Sequence, residues 1–198
     1  MQPAPPRPAA SLILLRGGGK HAERGVQVLL VRRTSEARFM PGVWVFPGGT
    51  VDVADAGDEE AAHRACAVRE LSEEAGIDLP SGAELLAWSR WITPEPVPVR
   101  FDTRFYVALA PPHSPPQPDR SEIVEATWIA PGDALERHRA GELSLVFPTI
   151  KHLESLLPYP TAAEVLEAAR GRTVEPVLPR VVGEGRERRV VLPGEPGY

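Results

Sequence analysis

Residues 46–77 constrain this chain most, because a glycine pair is followed there by a segment rich in glutamate. Asp58, with acidic residues directly after it, is a typical helix start, and Gly76 is a typical helix stop. The sequence therefore predicts a helix over 58–75. Small and apolar side chains share one stripe of that helix and are expected to pack on a sheet. They are Ala61, Ala65, Val68, Ser72 and Ala75.

The opposite side of the same helix carries the carboxylates of Glu70, Glu73 and Glu74. Like charges at this spacing repel one another unless water or a cation screens them. Carboxylate oxygens are the ligands that hard cations such as Mg²⁺ and Mn²⁺ prefer. Taken alone, the pattern fits a solvated surface helix equally well.

The segment before the helix favours the metal site over the solvated surface. Residues 43–46 predict a strand, and Pro47, Gly48 and Gly49 predict a sharp turn whose backbone can come close to a ligand. A strand, a glycine turn and an acidic helix face together predict a site for phosphate and metal.

The same residues resemble the signature of the Nudix hydrolase family. That signature is a Gly, five residues, a Glu, seven residues, and then Arg-Glu-apolar-x-Glu-Glu-x-Gly-apolar. Its second half is matched in full by Arg69, Glu70, Leu71, Glu73, Glu74, Gly76 and Ile77. The first half departs from it, because this chain has six more residues between Gly49 and Arg69.

The residue that takes the place of the first signature Glu stays open at this level. Counted back from Arg69, its position falls on Ala61. The acidic residues nearby that are alternatives for its role are Asp52, Glu59 and Glu60.

The resemblance implies metal-dependent hydrolysis of a nucleoside diphosphate linked to another group X. It implies Mg²⁺ or Mn²⁺ as the cofactor, with Glu70, Glu73, Glu74 and Gly49 as the metal site. Arg69 is expected to serve catalysis through an ion pair that orients a neighbouring carboxylate. The general base is open: Glu73 and Glu74 come first, and the loop acids Glu95 and Glu125 come next.

Other segments resemble a Nudix branch that contains peroxisomal coenzyme A diphosphatases. They are residues 39–49, 91–106, 122–131 and 147–149. This favours coenzyme A or an acyl-coenzyme A as the substrate. Arg32, Arg33 and Arg38 precede the glycine turn and suit bidentate contacts to substrate phosphates. Arg32 and Arg38, with Gly48, Arg100 and Asp102, are the expected substrate-binding residues.

The order of elements predicts an α/β fold. Strands are expected at 11–16, 25–33, 83–92, 100–109 and 122–129, and further helices at 131–140, 149–157 and 161–170, the second capped by Thr149. The resemblance implies a Nudix-type α/β/α sandwich with a mixed β-sheet. Residues 1–9 are expected to be a disordered proline-rich lead, 10–170 the Nudix domain, and 171–198 a hairpin tail that packs on the domain or on a partner chain.

Composition limits the classes of partner that this chain is expected to bind. With 198 residues and a net charge of −5, the chain fits one globular domain without a nucleic-acid-binding face. No apolar run is long enough for a membrane span, and the proline-rich start lacks a signal core. Cys66, the single cysteine, fits a reducing compartment and is expected to be a small buried residue. We therefore expect a cytoplasmic protein with a small-molecule nucleotide substrate, and the resemblance implies a homodimer.

Three functions compete at this level. The first is a diphosphatase acting on coenzyme A or an acyl-coenzyme A. The second is the same chemistry on an NDP-sugar, a dinucleotide or a nucleoside triphosphate. The third is a Nudix-fold module that binds a nucleotide without cleaving it, which the presence of Glu70, Glu73 and Glu74 disfavours.

Overall fold

The computed structural model describes residues 4–17, 25–37, 39–183, 185 and 188–198. Its strands are β1 Arg7–Arg16, β2 Gln27–Arg33, β3 Trp44–Val45, β4 Gly48–Thr50, β5 Leu86–Ile92, β6 Phe101–Leu109, β7 Ile123–Ile129, β8 Pro176–Val177, β9 Arg180–Val182 and β10 Arg189–Val191. Its helices are α1 Glu59–Ala75, α2 Pro131–Arg139, α3 Phe147–Leu156 and α4 Ala162–Ala169.

Strands β1 to β8 form one mixed sheet in the described part of the chain. Its order is β3-β2-β1-β6-β5-β8, with β4 also pairing with β1 and β7 also pairing with β2. The long central pair β1–β6 is parallel, as is β5–β8, and the remaining pairs are antiparallel. The predicted mixed sheet is confirmed.

Helices cover both faces of this sheet. Side chains alternate along a strand, so Leu12 and Leu14 of β1 face helix α1, while Ile13 and Leu15 face helices α2, α3 and α4. All four side chains are fully buried. The predicted α/β/α sandwich is therefore confirmed, with one apolar core on each side of the sheet.

Helix α1 has the predicted ends but not the predicted rotation. Asp58 caps it by accepting a hydrogen bond from the Ala61 N–H, and Gly76 closes it in the left-handed conformation at φ 62°. The buried side chains are His63, Cys66, Ala67, Leu71, Glu74 and Ala75, so the stripe predicted through the exposed Ala61 was wrong. The larger apolar side chains determine which face of the helix packs on the sheet. In that orientation Glu70 is half-buried and Glu74 is buried.

Two boundaries differ from the prediction for identifiable reasons. Strand β1 begins at Arg7, because its backbone pairs with β6 from that residue on, so the disordered lead was wrong for residues 7–9. Residues 1–3 lie outside the described part. Helix α3 begins at Phe147 after the N-cap Val146, with Pro148 in its first turn, and Thr149 is buried inside it. Thr149 is therefore not the cap.

The C-terminal segment joins the domain through strand β8. Strand β8 extends the main sheet by pairing with β5, and β9 with β10 forms the predicted antiparallel hairpin. Val191 of β10 is buried, and the Tyr198 hydroxyl donates to the Leu178 carbonyl. A domain boundary near residue 170 stays a prediction.

No helix in the described residues is long and apolar enough to cross a membrane.

Gly48 and Gly49 lie in a strand rather than in the predicted turn. Neither has a positive φ, and β4 pairs with β1 in the register Ser11↔Gly48 and Ala10↔Gly49. Both are glycines because neighbours come too close for a side chain. A Cβ on Gly48 would lie 2.4 Å from the Ala10 carbonyl oxygen, and one on Gly49 would lie 2.3 Å from the Glu70 carboxylate.

These two glycines should respond differently to alanine. Gly48→Ala collides with backbone, so we expect a loss of about 3 kcal/mol or more in the free energy of unfolding, at the upper end of overpacking costs. Gly49→Ala meets only the end of the Glu70 side chain, which can move, so about 1 kcal/mol is expected. Urea unfolding of both variants measures the difference, and equal losses would contradict this account of β4.

His152 is a buried titratable group at the centre of the second core. Its Nδ1 lies 2.6 Å from the Pro148 carbonyl oxygen, which can only accept, so Nδ1 carries the proton. Nε2 therefore accepts a hydrogen bond from the Ser89 hydroxyl at 2.6 Å. The ring packs 4.1 Å from that of Phe105. Burial lowers the pKa of His152 from 6.5 to about 4, so the folded protein holds this imidazole neutral.

Acid should therefore destabilise the fold through His152. The unfolded chain protonates this side chain below pH 6.5, whereas the folded chain does so only near pH 4, so stability is full above 6.5 and falls toward 4. At about 1.4 kcal/mol per pH unit, the loss is on the order of 3 kcal/mol. In urea unfolding between pH 7 and pH 4, His152→Phe should show a weaker pH dependence than the parent. His113→Gln, at an exposed position, is the control. Parallel pH dependences for parent and His152→Phe would refute the assignment.

Candidate active site

An acidic cleft of about 400 Å³ lies between strands β2 and β4, helix α1 and the loop before β7. Its lining residues are Arg33, Gly48, Gly49, Thr50, Glu70, Glu73, Glu74, Asp119, Ser121 and Glu122. The fold thus gathers residues that are far apart in sequence, and it brings the predicted Gly48, Gly49, Glu70, Glu73 and Glu74 to one place.

Glu74 is the most buried carboxylate of the cleft, with 5% of its surface exposed. Its Oε2 accepts a hydrogen bond of 2.9 Å from the Gly48 N–H, which ties helix α1 to strand β4. Burial first, and then the charges of Glu70 and Glu122, raise the pKa of Glu74 to about 8. The Gly48 N–H and Arg33 act in the opposite direction. A nearby cation would strongly stabilise the charged form of a carboxylate in this position.

Arg69 holds the other two helix carboxylates. Its Nη1 donates to Glu70 Oε1 at 2.8 Å and to Glu73 Oε2 at 2.9 Å. The Glu70 side chain is 15% exposed and that of Glu73 is 59% exposed. Burial raises the pKa of Glu70, while the hydrogen bond from Arg69 lowers it. The family resemblance implied an ion pair of this kind for Arg69, and the role of that ion pair in catalysis stays a prediction.

Asp55 completes the arrangement, and the sequence reasoning missed it. Arg69 Nε and Nη2 donate to the two carboxylate oxygens of Asp55, each at 3.0 Å, and the Asp55 side chain is only 3% exposed. The hydrogen bond from Arg69 lowers the pKa of Asp55. Of the alternatives for the first signature Glu, Glu59 and Glu60 instead pair with Arg104.

Asp55 could have been found by counting in the other direction. Forward from Gly49 it stands at the position of the first signature Glu, with five residues between. The six-residue insertion therefore follows Asp55 and leaves the spacing from Gly49 intact. Asp52, the remaining alternative, only frames this loop, since its N–H donates to Asp55 Oδ2.

The donor set suits a hard divalent cation, although its members are at present held by different partners. Within the described ranges, no three His, Cys, Asp or Glu side chains are placed to hold one metal ion together. Arg69 engages Glu70 and Glu73, and the Gly48 N–H engages Glu74. These are all oxygen ligands in one cleft, two of them with carboxyl pKa values raised by burial, so the residues fit such a cation if Arg69 yields part of its contacts.

Glu122 is a further carboxylate of this cleft that the sequence reasoning did not single out. Asp119 caps the loop by accepting hydrogen bonds from the N–H groups of Ser121, Glu122 and Ile123. The loop thereby places Glu122 close enough to raise the pKa values of Glu70 and Glu74.

The two loop acids named beforehand as general bases lie elsewhere. Glu95 is exposed and does not line the cleft. Glu125 forms an ion pair with Arg32 at 2.5 Å beside a second cleft that contains Trp44 and Arg137. Neither residue is therefore placed to act as a base in the acidic cleft.

The charged residues expected to bind substrate also lie away from the acidic cleft wherever the structure describes them. Arg32 pairs with Glu125 outside the acidic cleft, and Arg38 lies outside the described residues. Arg100 is buried and donates to the carbonyl groups of Thr93 and Ala4, so its role is structural. Asp102 forms a bidentate ion pair with Arg90 and does not line the cleft. The geometry therefore does not support substrate contacts for Arg100 and Asp102.

The cleft arginine in the structure is Arg33. Leu29 and Val31 of β2 face helix α1, and by the same alternation Arg33 faces the glutamates, whereas Arg32 faces the other side. This period-of-two signal was present in the sequence.

Comparison with known proteins agrees with this geometry. The family model described as NUDIX domain matches residues 5–147. The chain is 32% identical over 186 residues to a Caenorhabditis elegans protein named "Putative nudix hydrolase 7", an alignment that covers 76% of this chain and 60% of the nematode protein. This chain thus spans about three fifths of that relative. It is also 23% identical to the human "Acyl-coenzyme A diphosphatase NUDT19", over 88% of this chain and 75% of the human protein.

Among solved structures, the NUDIX hydrolase from Alicyclobacillus acidocaldarius is similar with a TM-score of 0.73 and 28% identity. The match covers 82% of this chain and 96% of that protein. The family model covers most of this chain, and the signature residues Glu70, Glu73 and Glu74 line the acidic cleft, the first two paired with Arg69. The chain belongs to the Nudix hydrolase family.

Proposed function

We propose that this protein hydrolyses a nucleoside diphosphate linked to another group X, with the help of a divalent cation. We further propose that the substrate is coenzyme A or an acyl-coenzyme A. The observation that carries the reaction is that Glu70, Glu73, Glu74 and Glu122 share one cleft with the backbone of Gly48 and Gly49. The name of the human relative, an acyl-coenzyme A diphosphatase, supports the choice of substrate.

The helix carboxylates would hold the cation. Nudix hydrolases generally use divalent metal ions, and we propose Mg²⁺ or Mn²⁺ with Glu70, Glu73 and Glu74 as ligands and Gly49 beside them. When bound, the cation neutralises charge on the diphosphate and lowers the pKa of water. Asp55 and Arg69 act indirectly, because their ion pair fixes the orientation of Glu70 and Glu73.

The remaining roles fall to groups that face the cleft. Water adds to one phosphorus of the anhydride and the bridging P–O bond breaks, which gives a nucleotide monophosphate and phosphorylated X. We propose that Glu122 accepts the proton of the attacking water. Glu122 lies on the loop opposite the helix and, unlike Glu70 and Glu73, makes no ion pair in the described part of the chain. The absence of side chains on Gly48 and Gly49 lets the diphosphate approach the backbone.

The location and assembly belong to the same proposal but have separate support. The cytoplasmic location rests on Cys66, which is buried and whose thiol pKa burial raises to about 12, as for a structural cysteine. The homodimer rests on the family resemblance. Both stay predictions.

Product analysis on a panel of nucleotides tests the reaction and the substrate together. The panel contains coenzyme A, acetyl-coenzyme A, ADP-ribose, NADH, diadenosine polyphosphates and nucleoside triphosphates, each with Mg²⁺, with Mn²⁺ and with EDTA. We expect coenzyme A to give 3′,5′-ADP and 4′-phosphopantetheine only with metal. Cleavage of another member alone would overturn the substrate proposal and leave the chemistry intact. Ligand binding without any cleavage would identify a binding module.

Two isosteric changes test the assigned roles on the substrate that the panel identifies. Glu70→Gln removes a metal ligand, so metal binding should weaken; a loss of several kcal/mol in charge stabilisation lowers kcat/KM by about 100-fold or more. Glu122→Gln removes the base, so kcat should fall by about 100-fold with metal binding retained. Calorimetric Mg²⁺ titration and steady-state kinetics separate the two effects. Glu136→Gln, on exposed α2 surface, is the control. Near-parental activity in either test variant would refute its role.

A further inference from the structure

Arg33 contributes the positive charge of the acidic cleft. Within the residues that the structure describes, it is the one basic side chain lining a cleft that also contains Glu70, Glu73, Glu74, Asp119 and Glu122. A diphosphate entering the cleft would meet an excess of negative charge. A guanidinium on the wall opposite helix α1 offsets part of that repulsion.

Backbone hydrogen bonds fix the main chain of Arg33, although it lies at the end of a strand. Its backbone N–H donates to the Val43 carbonyl, and the next residue, Thr34, donates to the carbonyl of Glu122. The β2–β7 pairing shifts by one residue here: Arg32 pairs with Glu125, but Arg33 pairs with Ile123. The resulting bulge keeps Arg33 and the buried Ile123 on the helix α1 side of the sheet, next to the Glu122 loop.

The guanidinium of Arg33 is not held by an acid of the cleft. Arg69 is held by Asp55, Glu70 and Glu73, and Arg32 by Glu125. By contrast, no ion pair of Arg33 occurs in the described part of the chain. The buried Nε atoms of Arg32 and Arg33 both lack a hydrogen-bond partner there, but Arg32 is still held through Nη2 by Glu125. A buried donor without an acceptor is uncommon and points to a missing partner. The planar fork of an arginine matches two oxygens of a phosphate.

We propose that Arg33 binds phosphate oxygens of the substrate diphosphate and thereby positions the anhydride between the glutamates and the glycine strand. This inference rests on the proposed function, since it names the residue that holds the group to be cleaved. Of the two neighbouring arginines that the sequence offers for phosphate contacts, the strand directs Arg33 toward the cleft and Arg32 to the opposite face. The chemical class that Arg33 recognises is a diphosphate rather than any particular nucleoside.

Binding of inorganic pyrophosphate tests the proposal without any need for turnover. In calorimetric titrations with Mg²⁺ present, Arg33→Gln should raise the Kd of pyrophosphate by about 10- to 100-fold, the range for a charge-assisted hydrogen bond. Arg33→Lys keeps the charge but loses the fork, so an intermediate Kd is expected. Arg32→Gln removes a guanidinium from the same strand outside the cleft and should raise the Kd far less. Equal effects of Arg33→Gln and Arg32→Gln would overturn the proposal.

Kinetics and chemical rescue separate substrate binding from a structural role. On the substrate that the panel identifies, Arg33→Ala should raise KM, and added guanidinium ion should restore part of the lost kcat/KM. Purely structural damage would lower the free energy of unfolding and show no rescue, and that result would refute the assignment. If the parent protein cleaves nothing, the proposed function fails, and the pyrophosphate titration still decides the role of Arg33. If the parent is active and Arg33→Ala keeps its KM, the inference fails alone.

Discussion

The contact between helix α1 and strand β4 is the interaction on which the cleft depends. The Gly48 N–H binds Glu74, and the Glu70 carboxylate lies where a Gly49 side chain would be. Strand β4 in turn pairs with β1, the strand at the centre of the sheet. The positions of the helix carboxylates are therefore set by the core of the domain. Burial of a carboxylate to this depth destabilises its charged form. A cation bound in the cleft would offset that destabilisation.

The pair between Arg69 and Asp55 explains how the chain accommodates six additional residues. The signature spacing from Gly49 to its first acid is kept, and Asp55 binds Arg69 through both carboxylate oxygens. The six additional residues lie between Asp55 and Arg69, so they lengthen the loop after Asp55 and the start of helix α1, which Asp58 caps. Because both ends of the insertion are anchored, its length does not move Glu70, Glu73 or Glu74. An insertion before Asp55 would have separated the acid from its arginine.

Much of the fold and half of the site could be predicted from local patterns. Capping residues located both ends of helix α1, and the spacing of the glutamates located the three carboxylates that line the cleft. The strand nature of Gly48 and Gly49 could not be read locally, because it follows from a close approach to β1 and Glu70 that only the tertiary structure creates. The prediction of which face of helix α1 is buried was wrong for the same reason. Apolar side chains are only weakly segregated along this helix, and the packing of Cys66 and Leu71 in the core determines which face is buried.

The arginines show where residue type is a weaker guide than geometry. Three arginines with the same side chain have three different environments. Arg32 pairs with a surface acid, Arg33 faces the glutamates, and Arg100 donates to two backbone carbonyls. Strand alternation distinguishes Arg32 from Arg33, but only once the face carrying Leu29 and Val31 is known to be the one beneath helix α1. A positive charge becomes a candidate for phosphate binding when it lies opposite acids and lacks a partner of its own. Among these residues, Arg33 meets both conditions.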